Sequence, residues 1–208
     1  LVHVANAEGA KLPYEVILRS VIRHLVDAAS SEYLFILDFF KDDVAEIFKR
    51  IFARTLSLIL ENMENYLLGC YDTIGLLLMI KLIHAFQLIM QRRRIPVLDS
   101  FFDRIFLMLW PRLKNVFDAN LRSVQNANPQ KLGTVDLHPH YVTRRYAEFV
   151  AAVLTLHGGL ESLGVGGGGE EMLLHDLALL RSEVVRLLER LGDQLGNPKS
   201  KIVFITNN

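Results

Sequence analysis

Among its 208 residues the sequence has one cysteine, one tryptophan, six prolines and no excess of charge of either sign. Cys70 has no second thiol to pair with, which suits a reducing cytosol, and a buried, inert thiol is its expected role. Lys and Arg together number 23, as do Asp and Glu. No net field therefore draws the chain to nucleic acid or to an anionic membrane. Long apolar runs are missing too. The run Leu76 to Ile80 stops at Lys81, and extending it to Met90 takes in His84 and Gln87. A membrane span of about 20 apolar residues is not expected from that pattern. No signal peptide is visible. The chain opens on Leu1 and stops three residues past the apolar run Ile202 to Ile205, so it reads as a fragment.

What is abundant is apolar side chain, 51% of the residues, too much for a disordered tail. A chain of this length can bury roughly 70% of its unfolded surface. The apolar residues recur at helical steps: Tyr14, Ile17, Leu18, Val21, Ile22 and Leu25 make one face over residues 14–26. A short apolar segment, Tyr33 to Phe40, follows. Asp43 and Glu46 then offer a capping box for a helix over Val44 to Leu68, with Arg50, Arg54, Ser57, Glu61 and Asn65 as its polar stripe. Gly69 ends this helix and Asp72 caps the next, which predicts a tight antiparallel pair needing neighbours on several sides.

Arg92, Arg93 and Arg94 close that second helix, where cations suit its dipole. Pro96 and Asp99 open another run, with Phe102, Ile105, Phe106, Leu109, Leu113, Val116 and Phe117 on one face; Pro111 is expected to kink or divide it. A polar loop follows over 126–133. Pro139 suits a first helical residue, ahead of a face made by Val142, Tyr146, Phe149, Val150 and Val153. Four consecutive glycines, Gly166 to Gly169, lie in a flexible connection over 158–171. Leu173, Leu177, Leu180, Val184, Leu187 and Leu191 then step by four and three, the stripe of a helix packed along a partner. Residues 201–205 are rich in β-branched types and fix no element. The expectation is an all-α, elongated bundle of long antiparallel helices. Residues 1–157 form its main part, 158–171 the connection and 172–208 a heptad-like helix and end.

An enzyme reading rests on His175-Asp176, with His138 and His140 before it and Asp193 after. That order is comparable to the metal ligands of an all-α phosphohydrolase of the HD type. Against it, His175 falls between helical leucines, where a solvent-facing His-Asp pair is ordinary. His138-Pro139-His140 lies at a helix start, where an imidazole can cover free N–H groups. The glycine run lacks the Lys-Ser/Thr of a phosphate loop, and no strand leads into it. No catalytic residue, metal or cofactor is assigned. The basic groups have two readings each: Arg92, Arg93 and Arg94 bind an acidic partner or end a solvated helix, and Arg144 and Arg145 contact a partner or pair with Glu148. Trp110 is expected in the core.

HPHYVTRRYAEF, residues 138–149, resembles a segment of the vacuolar protein sorting fifty-two (Sac-two) family. SEYLF at 31–35, RTLS at 54–57, CYD at 70–72, WPR at 110–112 and FITNN at 204–208 continue the likeness in order. The glycine run departs from the family pattern. The resemblance implies a non-enzymatic, helical-rod subunit of the Golgi-associated retrograde protein complex and its endosomal relative. Such a complex tethers endosome-derived vesicles at the trans-Golgi network. It further implies peripheral placement on the cytosolic face of those membranes. The implied partners are the other tethering subunits, SNARE proteins and a GTP-loaded Golgi Rab GTPase. The resemblance gives no catalytic residues. On physical grounds Tyr146 and Phe149 are expected in the core. Arg144, Arg145 and Glu148, and separately Arg92, Arg93 and Arg94, are the candidate partner contacts. A purely structural spacer is the competing reading.

Overall fold

Three- and four-residue apolar steps become helix wherever the chain is described. The computed structural model describes residues 12–41, 43–161 and 168–208. Among them are seven α-helices and no strand: α1 (Tyr14–Phe40), α2 (Val44–Leu68), α3 (Thr73–Arg93), α4 (Asp99–Gln125), α5 (Tyr141–Glu161), α6 (Gly168–Gly192) and α7 (Pro198–Asn207). The all-α expectation is met. Residues 201–205, undecided by pattern, lie within α7. The chain divides into two compact units at Leu113/Lys114, inside α4, whereas patterning places a boundary at 157/158. Helices reach into the expected glycine connection from both sides, and its middle, 162–167, lies outside the described residues.

In the first unit α1 is longer than expected. The segment 33–40 is no separate piece, because neither glycine nor proline interrupts 26–40. Val26, Ala29, Ser30 and Ile36 carry the buried stripe onward. Ser30 is tolerated there because its hydroxyl donates to the carbonyl of Val26 at 2.7 Å. Both α2 and α3 pack on α1, and the expected tight pairing of α2 with α3 does not form. Gly69 has φ −101°, not the left-handed value of a tight helix stop, so the 69–72 link leaves the two helices apart. Asp72 does cap α3, its Oδ1 accepting from the N–H of Ile74 at 3.0 Å. The capping box at Asp43 fails. Its φ of 55° is left-handed, whereas a side-chain cap needs extended backbone, and no cap hydrogen bond forms.

No residue from Thr73 to Met90 of α3 is exposed, and Leu76, Leu77, Met79, Ile80, Ile83 and Met90 are 0% exposed. Contrary to the sequence expectation, α3 is long and apolar enough to meet the length and hydropathy of a membrane span, at a mean hydropathy of 1.9. Its apolar side chains are turned into the unit, and 44% of that window is buried. This is the pattern of a core helix. The neighbours expected on several sides of α2 are not all present, and Ile51, Leu58 and Leu68 are exposed. Tyr14 stacks on Tyr66 with centroids 3.7 Å apart, which sets α1 and α2 antiparallel. Burial, with a hydrogen bond to Cys70, pushes the Tyr66 hydroxyl up to about 12. Cys70 is buried as expected, and its carbonyl accepts from Nε and Nη2 of Arg112 at 2.9 and 2.7 Å.

Pro111 does not divide α4, which runs unbroken from Asp99 to Gln125. Phe102, Ile105, Leu109, Leu113, Val116 and Phe117 are buried as patterned, Phe106 is half-buried against His84, and Trp110 is half-buried instead of in the core. In the second unit every residue of the leucine stripe from Leu173 to Leu191 is at most 7% exposed. The stripe packs within its own unit, where α6 meets α5 and α7. Asn197 starts α7, its Oδ1 accepting from the N–H of Lys199 at 3.0 Å. Lys201 of α7 pairs with Asp193.

Candidate partner-binding surface

The start of α5 is fixed by polar contacts. Gly133 takes φ +93°, a value side chains avoid, and turns the chain toward 136–140. Asp136 Oδ1 accepts the N–H of His138 at 2.8 Å, which holds its carboxyl below the usual carboxylate range. His138 itself is exposed. Helix α5 begins at Tyr141, so Pro139 stands before the helix and is not its first residue. His140 takes the cap position: it is buried, and its Nδ1 accepts the N–H of Val142 at 3.3 Å. That is the N–H covering expected of an imidazole here.

The end of α7 clasps the same corner. Asn208 Oδ1 accepts from the N–H of His140 at 2.6 Å and from the hydroxyl of Thr143 at 2.7 Å. Asn207 Nδ2 donates to the carbonyl of Leu137 at 2.7 Å. Two stretches far apart in sequence, 137–143 and 207–208, thus meet. Sequence reasoning named both as family-like but did not foresee their contact. Side-chain amides at a helix end were the available signal.

Downstream, Arg144, Arg145 and Glu148 are exposed. Among the described residues they stand outside the ion pairs of this unit, which include those of Lys114 with Asp118 and Asp176, His138 with Asp136, Arg186 with Glu183, and Lys201 with Asp193. The expected pairing of Arg144 or Arg145 with Glu148 is therefore not made. Tyr146 and Phe149, expected in the core, are half-buried. They line a groove of about 340 Å³ with Tyr141, Val142 and Arg145 of α5, Leu180 and Val184 of α6, and Asn120, Ser123 and Val124 of α4. Sequence reasoning missed the α4 and α6 walls, because no local pattern reports which helices come together. Phe149 leans on Phe117 below, with centroids 6.2 Å apart.

The arginines of α3 behave differently. Arg93 is drawn into the fold of the first unit, donating to Ser30 Oγ at 2.8 Å and pairing with Asp27 at 3.2 Å. Arg94 is the left-handed cap residue, φ 57°, and Arg92 is exposed. The three do not form one free cationic face. In the first unit, two apolar grooves flank α2. One, about 460 Å³, includes Phe48, Leu56 and Phe101; the other, about 630 Å³, includes Val21, Phe52 and Leu58.

His175 and Asp176 are split by the helix. His175 is exposed, while Asp176 is 3% exposed and receives Lys114 Nζ at 2.8 and 2.9 Å. The solvent-facing pair expected at this position is not what forms. Lys114 also meets Asp118 at 2.8 Å, and hydrogen bonds to Asp118 and Asp176 hold its ammonium above its ordinary value. Among the described residues no three His, Cys, Asp or Glu side chains converge on a point that could hold a metal ion.

A family model described as Vps52, C-terminal, matches residues 1–208. The chain belongs to that family. It is 46% identical over 206 residues to "Vacuolar protein sorting-associated protein 52 A" of Arabidopsis thaliana, which covers 99% of the chain and 28% of that protein. The Homo sapiens homolog of vacuolar protein sorting-associated protein 52 is 33% identical over 209 residues, again 99% of the chain and 28% of the relative. The Schizosaccharomyces pombe protein of that name is 27% identical over 188 residues, 88% of the chain and 36% of the relative. The chain thus spans between a quarter and two-fifths of the length of these relatives. No solved structure matches it.

Proposed function

We propose that the chain is a non-enzymatic part of a vesicle-tethering subunit. That subunit would act in endosome-to-trans-Golgi retrograde transport, on the cytosolic face of those membranes, and bind a partner through the exposed face of α5. Support for the tethering role comes from the family match over the whole chain. One observation carries the binding role: half-buried aromatic side chains and an arginine outside the ion-pair network line the same groove. Aromatic side chains and arginine are the types that dominate binding energy at protein interfaces. No nucleic acid and no cofactor enters this reading. Its partners are other tethering subunits, SNARE proteins and a Golgi Rab GTPase in its GTP form. A Rab in the GTP state has ordered switch segments, which a rigid helix face can select over the GDP state. Modest affinity at one such face is sufficient where several subunits bind together.

A calorimetric titration of the chain with the Golgi Rab, loaded in parallel with a GTP analogue and with GDP, tests the reading. Heat confined to the GTP form supports it. No heat in either state removes the Rab from the partners of this segment. A second reading, a purely structural spacer, is favoured by the clasp: His140, Thr143, Asn207 and Asn208 of the family-like stretches are spent on internal contacts.

A further inference from the structure

Resting on the partner-binding reading of α5, we infer that the groove between α5 and α6 receives an amphipathic helix of another protein, with acidic residues flanking its apolar anchors. Tyr141, Val142, Arg145, Tyr146 and Phe149 follow helical steps along α5. From Tyr141 to Phe149 they cover about 12 Å at 1.5 Å per residue, so the occupant contacts them over roughly two helical turns. The 340 Å³ volume lies at the small end of the range for ligand pockets in general, roughly 300–1,000 Å³. It has room for a few apolar anchors and no more.

Backbone accounting selects a helix over an extended peptide. The α4, α5 and α6 walls are helices, whose peptide groups are bonded within themselves, so they offer no sheet edge. An extended peptide laid there would leave its own N–H and C=O groups unpaired against apolar side chains. A helix brings its backbone already satisfied, the groove-binding mode with anchors at i, i+3 or i+4, and i+7.

Charge then selects the flanks. Arg145 is in the wall and exposed, Arg144 is beside it, and Arg122 and Arg181 are exposed next to the lining residues Ser123 and Leu180. The carboxylates Asp118, Asp176 and Glu183 are already held by Lys114 and Arg186, which leaves Glu148 as the exposed carboxylate nearest on α5. A guanidinium at the edge of an apolar groove favours a carboxylate placed beside an anchor, by a forked, charge-assisted contact.

The probe is a fluorescein-labelled helical peptide with leucines at i, i+3 and i+7 and glutamates flanking them, titrated with this chain and read by anisotropy. Saturable binding is expected. Arg145→Glu is expected to weaken it about tenfold, the loss of one charge-assisted contact. The same peptide with lysine for glutamate is expected to bind the wild type poorly and to recover on Arg145→Glu. Tyr141→Ala, at a half-exposed position, is expected to weaken both peptides. Equal binding of the two peptides, or no effect of Arg145→Glu, overturns the inference. So does a concentration-dependent dimer in sedimentation that Tyr141→Ala dissolves, because a second copy is then the occupant. If the glutamate peptide binds while the GTP-form Rab does not, the groove stands and the Rab assignment falls. If the Rab binds with no loss on Arg145→Glu and the glutamate peptide loses none either, the Rab assignment stands and the groove falls.

Discussion

In the first unit not one residue from Thr73 to Met90 of α3 is exposed, whereas α5 in the second shows Arg144, Arg145 and Glu148 to solvent and leaves Tyr146 and Phe149 only half covered. Aliphatic packing against α1 holds α3; its polar contacts stand at the ends, at Asp72 and Arg93. In the second unit part-buried polar contacts fix the helices: Lys114 on Asp176, and Asn208 on His140 and Thr143. Apolar packing is strong but undirected, and it covers a helix on several sides. Hydrogen-bonded fixtures specify geometry with few atoms, so they can hold α5 at its start and leave its remaining face open.

The comparison breaks most sharply at Ile83. Truncating it to alanine in a 0%-exposed site should cost about 3–4 kcal/mol in denaturant unfolding, by lost transfer energy and the cavity left behind. A loss under about 1 kcal/mol would mean that α3 is not the packed centre of its unit. Next comes Lys114→Met. It leaves Asp176 buried beside Asp118 without its cation, at an expected cost of about 2–3 kcal/mol, discounted because the lysine is partly exposed. The double variant Lys114→Met, Asp176→Leu should recover most of that loss. If the double variant is as unstable as the sum of the two single ones, the pair is not the fixture described here.

Asn208→Ala should cost about 1–2 kcal/mol, since it strips two acceptor contacts from the start of α5. Hydrogen exchange at the first turn of α5 should rise with it; exchange unchanged there contradicts the clasp. The smallest effect belongs to His84, packed on Phe106 at 4.1 Å and held below its ordinary pKa by burial. Its folded state disfavours the proton that the unfolded chain accepts near 6.5. The stabilising contribution is therefore present above that value and is lost as pH falls below it. Melting curves of the wild type and His84→Leu between pH 7.5 and 5 should show that slope only in the wild type.

Much of this fold was legible in the sequence because apolar periodicity reports one helix at a time. The bounds of α2 at Val44 and Leu68 and the Leu173 to Leu191 stripe followed from it, and the Asp72 cap followed from its residue type. What periodicity does not carry is which helices meet. The α2–α3 pairing failed for that reason, and the groove walls from α4 and α6 went unseen. Local signals also misled where backbone overrode side chain: Asp43 has the capping residue type but a left-handed φ. At the candidate surface, Arg144, Arg145 and Glu148 were legible as exposed, whereas the role of Arg93 inside the fold depends on Asp27 and Ser30, more than 60 residues away.

The open face of α5 serves a partner and not the fold if its arginines can be reversed without loss of stability. The direct measurement is a calorimetric titration of the GTP-form Rab with the Arg144→Glu, Arg145→Glu variant, alongside its thermal melt. Melting within about 2 °C of the wild type, consistent with surface changes of roughly 0.5 kcal/mol, together with at least a tenfold weaker affinity, is the predicted result. Wild-type affinity in the variant would contradict it, and so would a large drop in melting temperature.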